Sequence, residues 1–125
     1  NIMIPTINST DFKTLKTLIA NYPVQLKTKE VGNLAIELGR ANIVEDEAIN
    51  PNIIRLGSKF DAQDLDSLKI WTLTLTLPEE ADMTKQRISV FSPLGVALIG
   101  FSEGDTVEWS LPGGLKKLKI LAVKN

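Results

Sequence analysis

The chain has 125 residues, enough for one hydrophobic core, with 43% hydrophobic and 23% charged side chains. Its 14 basic and 15 acidic residues leave a net charge of -1, without the basic excess that gives autonomous nucleic-acid binders their affinity. It contains no cysteine and no histidine, which excludes disulfides, thiol nucleophiles, Ser-His-Asp triads and the common zinc sites.

From Ser9 to Ala41 the apolar residues follow a helical period. Asn8, Ser9 or Thr10 can cap a first helix, and Asp11 lies in its first turn, where the helix dipole favours an anion. Phe12, Leu15, Ile19 and Tyr22 form its apolar stripe, and Pro23 ends it. A second helix is predicted from about Thr28 to Ala41, with Val31, Leu34, Leu38 and Ala41 at matching spacing. Two such stripes joined by a short polar turn predict an antiparallel helical hairpin, each arm about 20 Å long. Gly32, Ala35 and Gly39 share one face of the second helix, which close packing onto a neighbouring element would explain. Tyr22 at the hairpin tip either meets a partner or closes the first stripe. Glu45, Asp46 and Glu47, before Asn50-Pro51, read as a solvated linker.

Beyond the linker the period changes to two. Ile53–Phe60 is predicted as a strand, followed by a turn in which Asp61, Asp64 and Asp66 face solvent. Lys69–Leu77 alternates cleanly, with Trp71, Leu73, Leu75 and Leu77 on one face and three threonines on the other. Pro78 stops that strand, and a short strand follows over Arg87–Phe91. Ser92-Pro93 is a cap-and-start signal for a short helix over Leu94–Ile99, with Gly100 at its C-terminal end. Asp105–Leu111 and Leu115–Val123 form a last pair of strands around Pro112-Gly113-Gly114. The expected class is α+β, with residues 1–44 as the hairpin, 45–51 as linker and 52–125 as an antiparallel sheet carrying one short helix.

The same pass finds little chemistry. Glu79 with Glu80, Asp64 with Asp66, and Glu103 with Asp105 are carboxylate pairs without partners of known role, and read as exposed charges. Pro112-Gly113-Gly114 opens no helix, so it is not a phosphate cradle. Lys116, Lys117 and Lys119 cannot share one face of a strand. The longest apolar stretch, Leu94 to Phe101, is eight residues, far short of the ~20 of a membrane span. With no secretory signal in its first residues, the chain is expected in the cytoplasm. No catalytic residue, metal ligand or cofactor site is predicted.

Residues Ile88 to Gly100, then Glu103-Gly104-Asp105 and Pro112-Gly113-Gly114, carry a Ser-Pro, Ala-Leu-Ile-Gly, Gly-Asp and Pro-Gly-Gly series. In this order and spacing it resembles the C-terminal domain of the Gre transcript-cleavage factors. The resemblance covers about Asn52 to Val123 and implies an FKBP-like fold that docks on bacterial RNA polymerase near the rim of its secondary channel. Gre factors also carry a long coiled-coil hairpin with acids at its tip holding a magnesium ion. Here the hairpin is about half as long, and its tip, Asn21 to Lys27, contains no acid. A short hairpin with Pro23-Val24 at its tip, and Glu37-Leu38-Gly39-Arg40-Ala41 further on, resembles the Rnk branch, regulators of nucleoside diphosphate kinase.

These resemblances imply a non-enzymatic, monomeric regulator that binds RNA polymerase and competes with Gre factors. It would bind no membrane and no specific nucleic-acid sequence. Ser92, Pro93, Leu94 and Ala97 would form its docking patch, with Tyr22, Pro23 and Val24 at the hairpin tip. On this expectation, Leu94→Asp abolishes polymerase binding and leaves the fold intact; if Leu94 and Ala97 are instead core residues of the short helix, the same substitution unfolds the chain. The alternatives are a transcript-cleavage elongation factor of the Gre type, with acids displaced to Glu30 or Glu37, and an FKBP-like peptidyl-prolyl isomerase.

Overall fold

The change of sequence period at the middle of the chain becomes a change of architecture in the computed structural model, which describes residues 3–125. Strand β1 (Thr6–Asn8) leads into helix α1 (Ser9–Asn21), a 3-10 turn over Val24–Leu26, helix α2 (Lys29–Arg40) and strand β2 (Asn42–Val44). β1 and β2 pair in parallel, Thr6 opposite Asn42, so the two helices leave and return at the same place. The predicted stripes face inward: Leu15 on α1 and Val31, Leu34 and Leu38 on α2 are buried. Thr28 caps α2, accepting from the Val31 N–H. The expected tight packing of the Gly32-Ala35-Gly39 face is absent. That face is exposed, and a Cβ at Gly32 or Gly39 would meet nothing within 4 Å.

The cap of α1 comes from a residue assigned above to solvent. No side chain at Asn8 caps the helix. Instead the Asp46 carboxylate accepts from the Thr10 N–H at 3.0 Å, from the Thr10 hydroxyl, and from Asn8 Nδ2 at 3.0 Å. Segment 45–51 is therefore tied down, with a 3-10 turn over Asp46–Ala48 and a buried Ile49. Sequence spacing could not reveal a cap supplied from 36 residues away.

The second half is a five-stranded sheet in the order β5-β4-β3-β7-β6. Its strands are β3 (Lys59–Asp64), β4 (Ile70–Thr76), β5 (Arg87–Ser89), β6 (Thr106–Leu111) and β7 (Gly114–Lys124). The strand predicted from Ile53 begins only at Lys59. Ile53 makes an isolated bridge to Ser102, and Ile54 is held by Phe101. The sheet is mixed, not antiparallel throughout, because β5 pairs in parallel with β4, Leu75 opposite Ile88. Two 3-10 turns between Pro78 and Lys85, and Gln86 at φ 57°, carry the chain back far enough to allow that direction. A bulge at Asp61/Ala62 interrupts the β3–β7 register.

Two of the three turn acids are also anchored. Asp64 is 2% exposed. It pairs with Lys116 at 2.9 Å and accepts from the Asp66 N–H. Asp61 accepts from the Thr72 hydroxyl. One continuous core joins the halves, with Leu15, Leu34 and Leu38 packed with Phe60, Leu75, Leu98, Leu118 and Ile120. This is an α+β architecture.

These anchors set an acid limit. The hydrogen bonds from Thr10 lower Asp46 to about 2, and the Lys116 ammonium lowers Asp64 to about 2. A carboxylate lowered in the folded state stabilises fully above its ordinary value and loses that contribution as pH falls through the lowered one. Asp11 has the opposite sign, because burial raises it, so its protonation favours the folded state. Thermal midpoints are therefore expected to fall mainly between about pH 4 and pH 2. Asp64→Asn should lower the midpoint at neutral pH and flatten that fall. An unchanged pH profile in this variant would contradict the assignment.

Candidate functional site

Helix α3 (Pro93–Leu98) starts where the sequence predicts, and the reason is local. Ser92 Oγ accepts from the Gly95 N–H at 3.0 Å and donates to the Ser89 carbonyl at 2.6 Å. Pro93 takes the first helical position, where its missing N–H loses nothing. Gly95 lets the helix lie against the preceding strand, since a Cβ there would sit 2.3 Å from the Ser89 carbonyl. Leu94, Val96 and Leu98 are buried, while Pro93 is exposed and Ala97 half-buried.

Pro93 and Ala97 line a groove of about 540 Å³ between α3, α2 and β6. Ile36 on α2, Phe101 and Trp109 on β6 provide further apolar lining. Ile36 is 65% exposed although it lies on a helix whose other large apolar side chains, Val31, Leu34 and Leu38, are buried. It falls outside the apolar stripe, and that misfit is the sequence signal by which this groove could have been found. The charged rim is Lys29, Glu30, Glu37, Arg40 and Glu108.

The predicted patch is thus divided. Leu94 is 9% exposed and belongs to the core, so Leu94→Asp would unfold the chain rather than test docking. Ser92 is half-buried and engaged in capping. Of the four, Pro93 and Ala97 line the groove. At the tip, Pro23 and Val24 are exposed, whereas Tyr22 packs edge-on against Phe91 with ring centroids 5.0 Å apart. That contact closes the α1 stripe and places the end of α1 beside the residues that start α3.

The two acids offered as displaced, Glu30 and Glu37, both line the groove, and Glu37 is bound there by Arg40 through two hydrogen bonds, at 2.7 and 2.8 Å. Glu103 accepts from the Val123 N–H and Asp105 from the Ser102 N–H, both structural roles. Among the described residues, no three Asp, Glu, His or Cys side chains gather into a metal-binding group. No described helix is long and apolar enough to cross a membrane. The geometry offers an apolar groove with a charged rim, a surface for recognition.

The family "Transcription elongation factor, GreA/GreB, C-term" matches residues 49–125. GreA of Alkaliphilus oremlandii is 37% identical over 93 residues, 74% of this chain and 58% of that protein. GreA of Clostridium acetobutylicum is 34% identical over 70% of this chain and 55% of its own length. The aligned region thus spans little more than half of these curated relatives. A solved structure, a GreA/GreB elongation factor from Nitrosomonas europaea, is 30% identical with a TM-score of 0.79, covering 99% of this chain and 100% of its own. GreA factor homolog 1 of Thermus thermophilus shares the fold at 19% identity and a TM-score of 0.51, covering 98% of this chain and 100% of its own.

Proposed function

The chain belongs to the GreA/GreB transcription elongation factor family, and from that premise we propose that it is a Gre-type elongation factor acting on bacterial RNA polymerase. This replaces the reading of a Rnk-like regulator that opposes Gre factors. Relatives at 34–37% identity are named transcription elongation factor GreA, and the Nitrosomonas structure aligns over almost the whole chain.

The observation that carries the proposal is the position of the groove. Its Pro93, Ala97 and β6 walls lie inside the family-matched region, on a helix fixed by Ser92 and Gly95. In this reading the C-terminal domain, with the FKBP-like arrangement implied by the resemblance, docks through that groove. The helical pair, a short coiled-coil hairpin, presents Pro23 and Val24 as a second contact, with Tyr22 holding it in place. Residues 21–27 hold no carboxylate, so the contribution assigned to this chain is binding, without a catalytic group or cofactor of its own. The chain acts as a cytoplasmic monomer.

The direct functional test adds the chain to stalled bacterial elongation complexes and follows transcript extension. The proposal expects a saturable change in the fraction of complexes that resume synthesis. Unchanged extension at saturating protein would overturn it.

A further inference from the structure

The face of the five-stranded sheet turned away from the core holds cations that neither folding nor the groove uses. Lys116, Lys117 and Lys119 divide across β7. Lys116 turns to the core side and pairs with Asp64, while Lys117 and Lys119 lie exposed on the outer side. Strand register adds a row at the other end of that side. Lys124 on β7 stands opposite Lys59 on β3, Lys59 opposite Thr74 on β4, and Thr74 opposite Arg87 on β5. The row crosses four adjacent strands, about 14 Å at the usual strand spacing, and Lys59, Lys124 and Arg87 are exposed.

The row runs against stability. Lys59 and Lys124 face each other directly, and like charges so placed destabilise a sheet. Both sit on interior strands, so they protect no edge. Among the described residues the ion pairs are Arg40–Glu37 and Lys116–Asp64, which leaves all three cations of the row unpaired. Two acids share the outer side, but Asp61 accepts from the Thr72 hydroxyl at 2.6 Å, and Glu108 stands opposite Lys117. Lys59 and Lys124 flank a shallow depression of about 220 Å³, lined also by Thr72 and Ala122. An anion there would relieve their repulsion.

The rest of the surface selects the kind of anion. Thr74 places a hydroxyl within the row, a group that donates to phosphate oxygens. Ile70 and Leu115, the exposed large apolar side chains of this side, lie at the end away from the row. The row therefore lacks the apolar centre of a protein interface. Trp71 and Trp109 turn to the core side with their rings 6.1 Å apart, so they offer no platform for unstacked bases. A duplex presents its phosphates outward and needs neither feature.

We infer that the outer side of the sheet, centred on Lys59, Lys124 and Arg87, binds the phosphate backbone of double-stranded nucleic acid without reading its sequence. Helix α3 packs on the other side of the sheet, so the contact does not use the docking groove and does not depend on the function proposed above. With a net charge of -1 on the whole chain, the contact is weak and steeply salt-dependent.

The test titrates the full chain into a short fluorescent DNA duplex of arbitrary sequence, without polymerase, at several salt concentrations. Wild type is expected to bind saturably at low salt. Lys59→Gln/Lys124→Gln should bind about tenfold more weakly there, and the slope of log affinity against log salt should fall by about 2. Its melting point should equal or exceed that of wild type, because the opposed charges are gone. Lys13→Gln/Lys16→Gln makes the same change of net charge on α1 and should bind the duplex as wild type does. Equal weakening by both variants would overturn the inference by reducing the effect to net charge. Absence of wild-type binding at low salt would overturn it outright. Tighter binding of the single strand than of the duplex, or equally tight binding of polyglutamate, would overturn it by assigning the face to another partner. None of these results bears on docking to the polymerase, which is read separately.

Discussion

Ala97→Glu is expected to lower affinity for bacterial core RNA polymerase by about 100-fold while the chain stays folded. Ala97 lies on α3, half-buried, at the floor of the groove that Pro93, Ile36 and Trp109 also line. Its side chain is small, so a partner's apolar group can approach the helix closely there. Glutamate fills that space and forces a charge against whatever enters, and an unpaired buried charge is costly to an interface. In the free chain the same carboxylate can extend from the groove into water, and glutamate is a good helix former. The contrast with Leu94 is the control. Leu94 is three residues earlier on the same short helix but packs in the core, so Leu94→Asp should abolish binding by unfolding the protein. Circular dichroism distinguishes the two: Ala97→Glu keeps the wild-type spectrum, and Leu94→Asp loses it. Wild-type affinity in a folded Ala97→Glu chain would remove the groove from the docking surface.

Gly100→Val is expected to destabilise the chain by about 3 kcal/mol, near 10–15 °C in melting point. Two independent constraints act on this glycine. Its φ of 85° lies in the left-handed region, which a β-branched residue enters only under strain. A Cβ at this position would also sit 2.5 Å from the Pro5 Cβ and 3.1 Å from the Thr6 backbone nitrogen. The Thr6 N–H donates to the Gly100 carbonyl at 2.9 Å, so the clash falls where β1 joins the sheet half. Gly32→Ala is the comparison, since its Cβ meets nothing and alanine favours the helix. It should leave stability unchanged or raise it. A Gly100→Val midpoint equal to wild type would show that β1 is not held as described.

What could be read from the sequence was what depended on local order. Ser92-Pro93 starts α3 through a cap formed within three residues, and Gly100 follows its end in the left-handed conformation that glycine favours. The alternation of Leu73 and Leu75 with threonines identifies β4 because the leucines are buried while Thr72 and Thr74 on the other face stay half-buried. Where the determining partner lies far along the chain, the same reasoning loses its object. Asp46 is an ordinary exposed acid by composition, and becomes a helix cap only because β2 returns beside β1. Asp64 reads as a turn residue until Lys116 on β7 reaches it. The parallel direction of β5 depends on the path of ten residues from Leu77 to Gln86, which hydrophobic period does not encode.

The site divided along the same line. Pro93 and Ala97 were reachable because the helix that carries them is locally specified. The sequence does not separate Leu94 from its neighbours, because a six-residue helix has too few turns to show which side faces inward. Ile36, Phe101 and Trp109 come together only through the packing of α2 against α3 and β6, and no spacing in the sequence links them.

Amide hydrogen exchange of the chain, free and bound to bacterial core RNA polymerase, tests the central claim most directly. Docking through the groove predicts slower exchange in α3, Pro93–Leu98, and in β6, Thr106–Leu111, when polymerase is present. Unchanged exchange in both segments, with protection confined to other parts of the sheet or absent altogether, would contradict it.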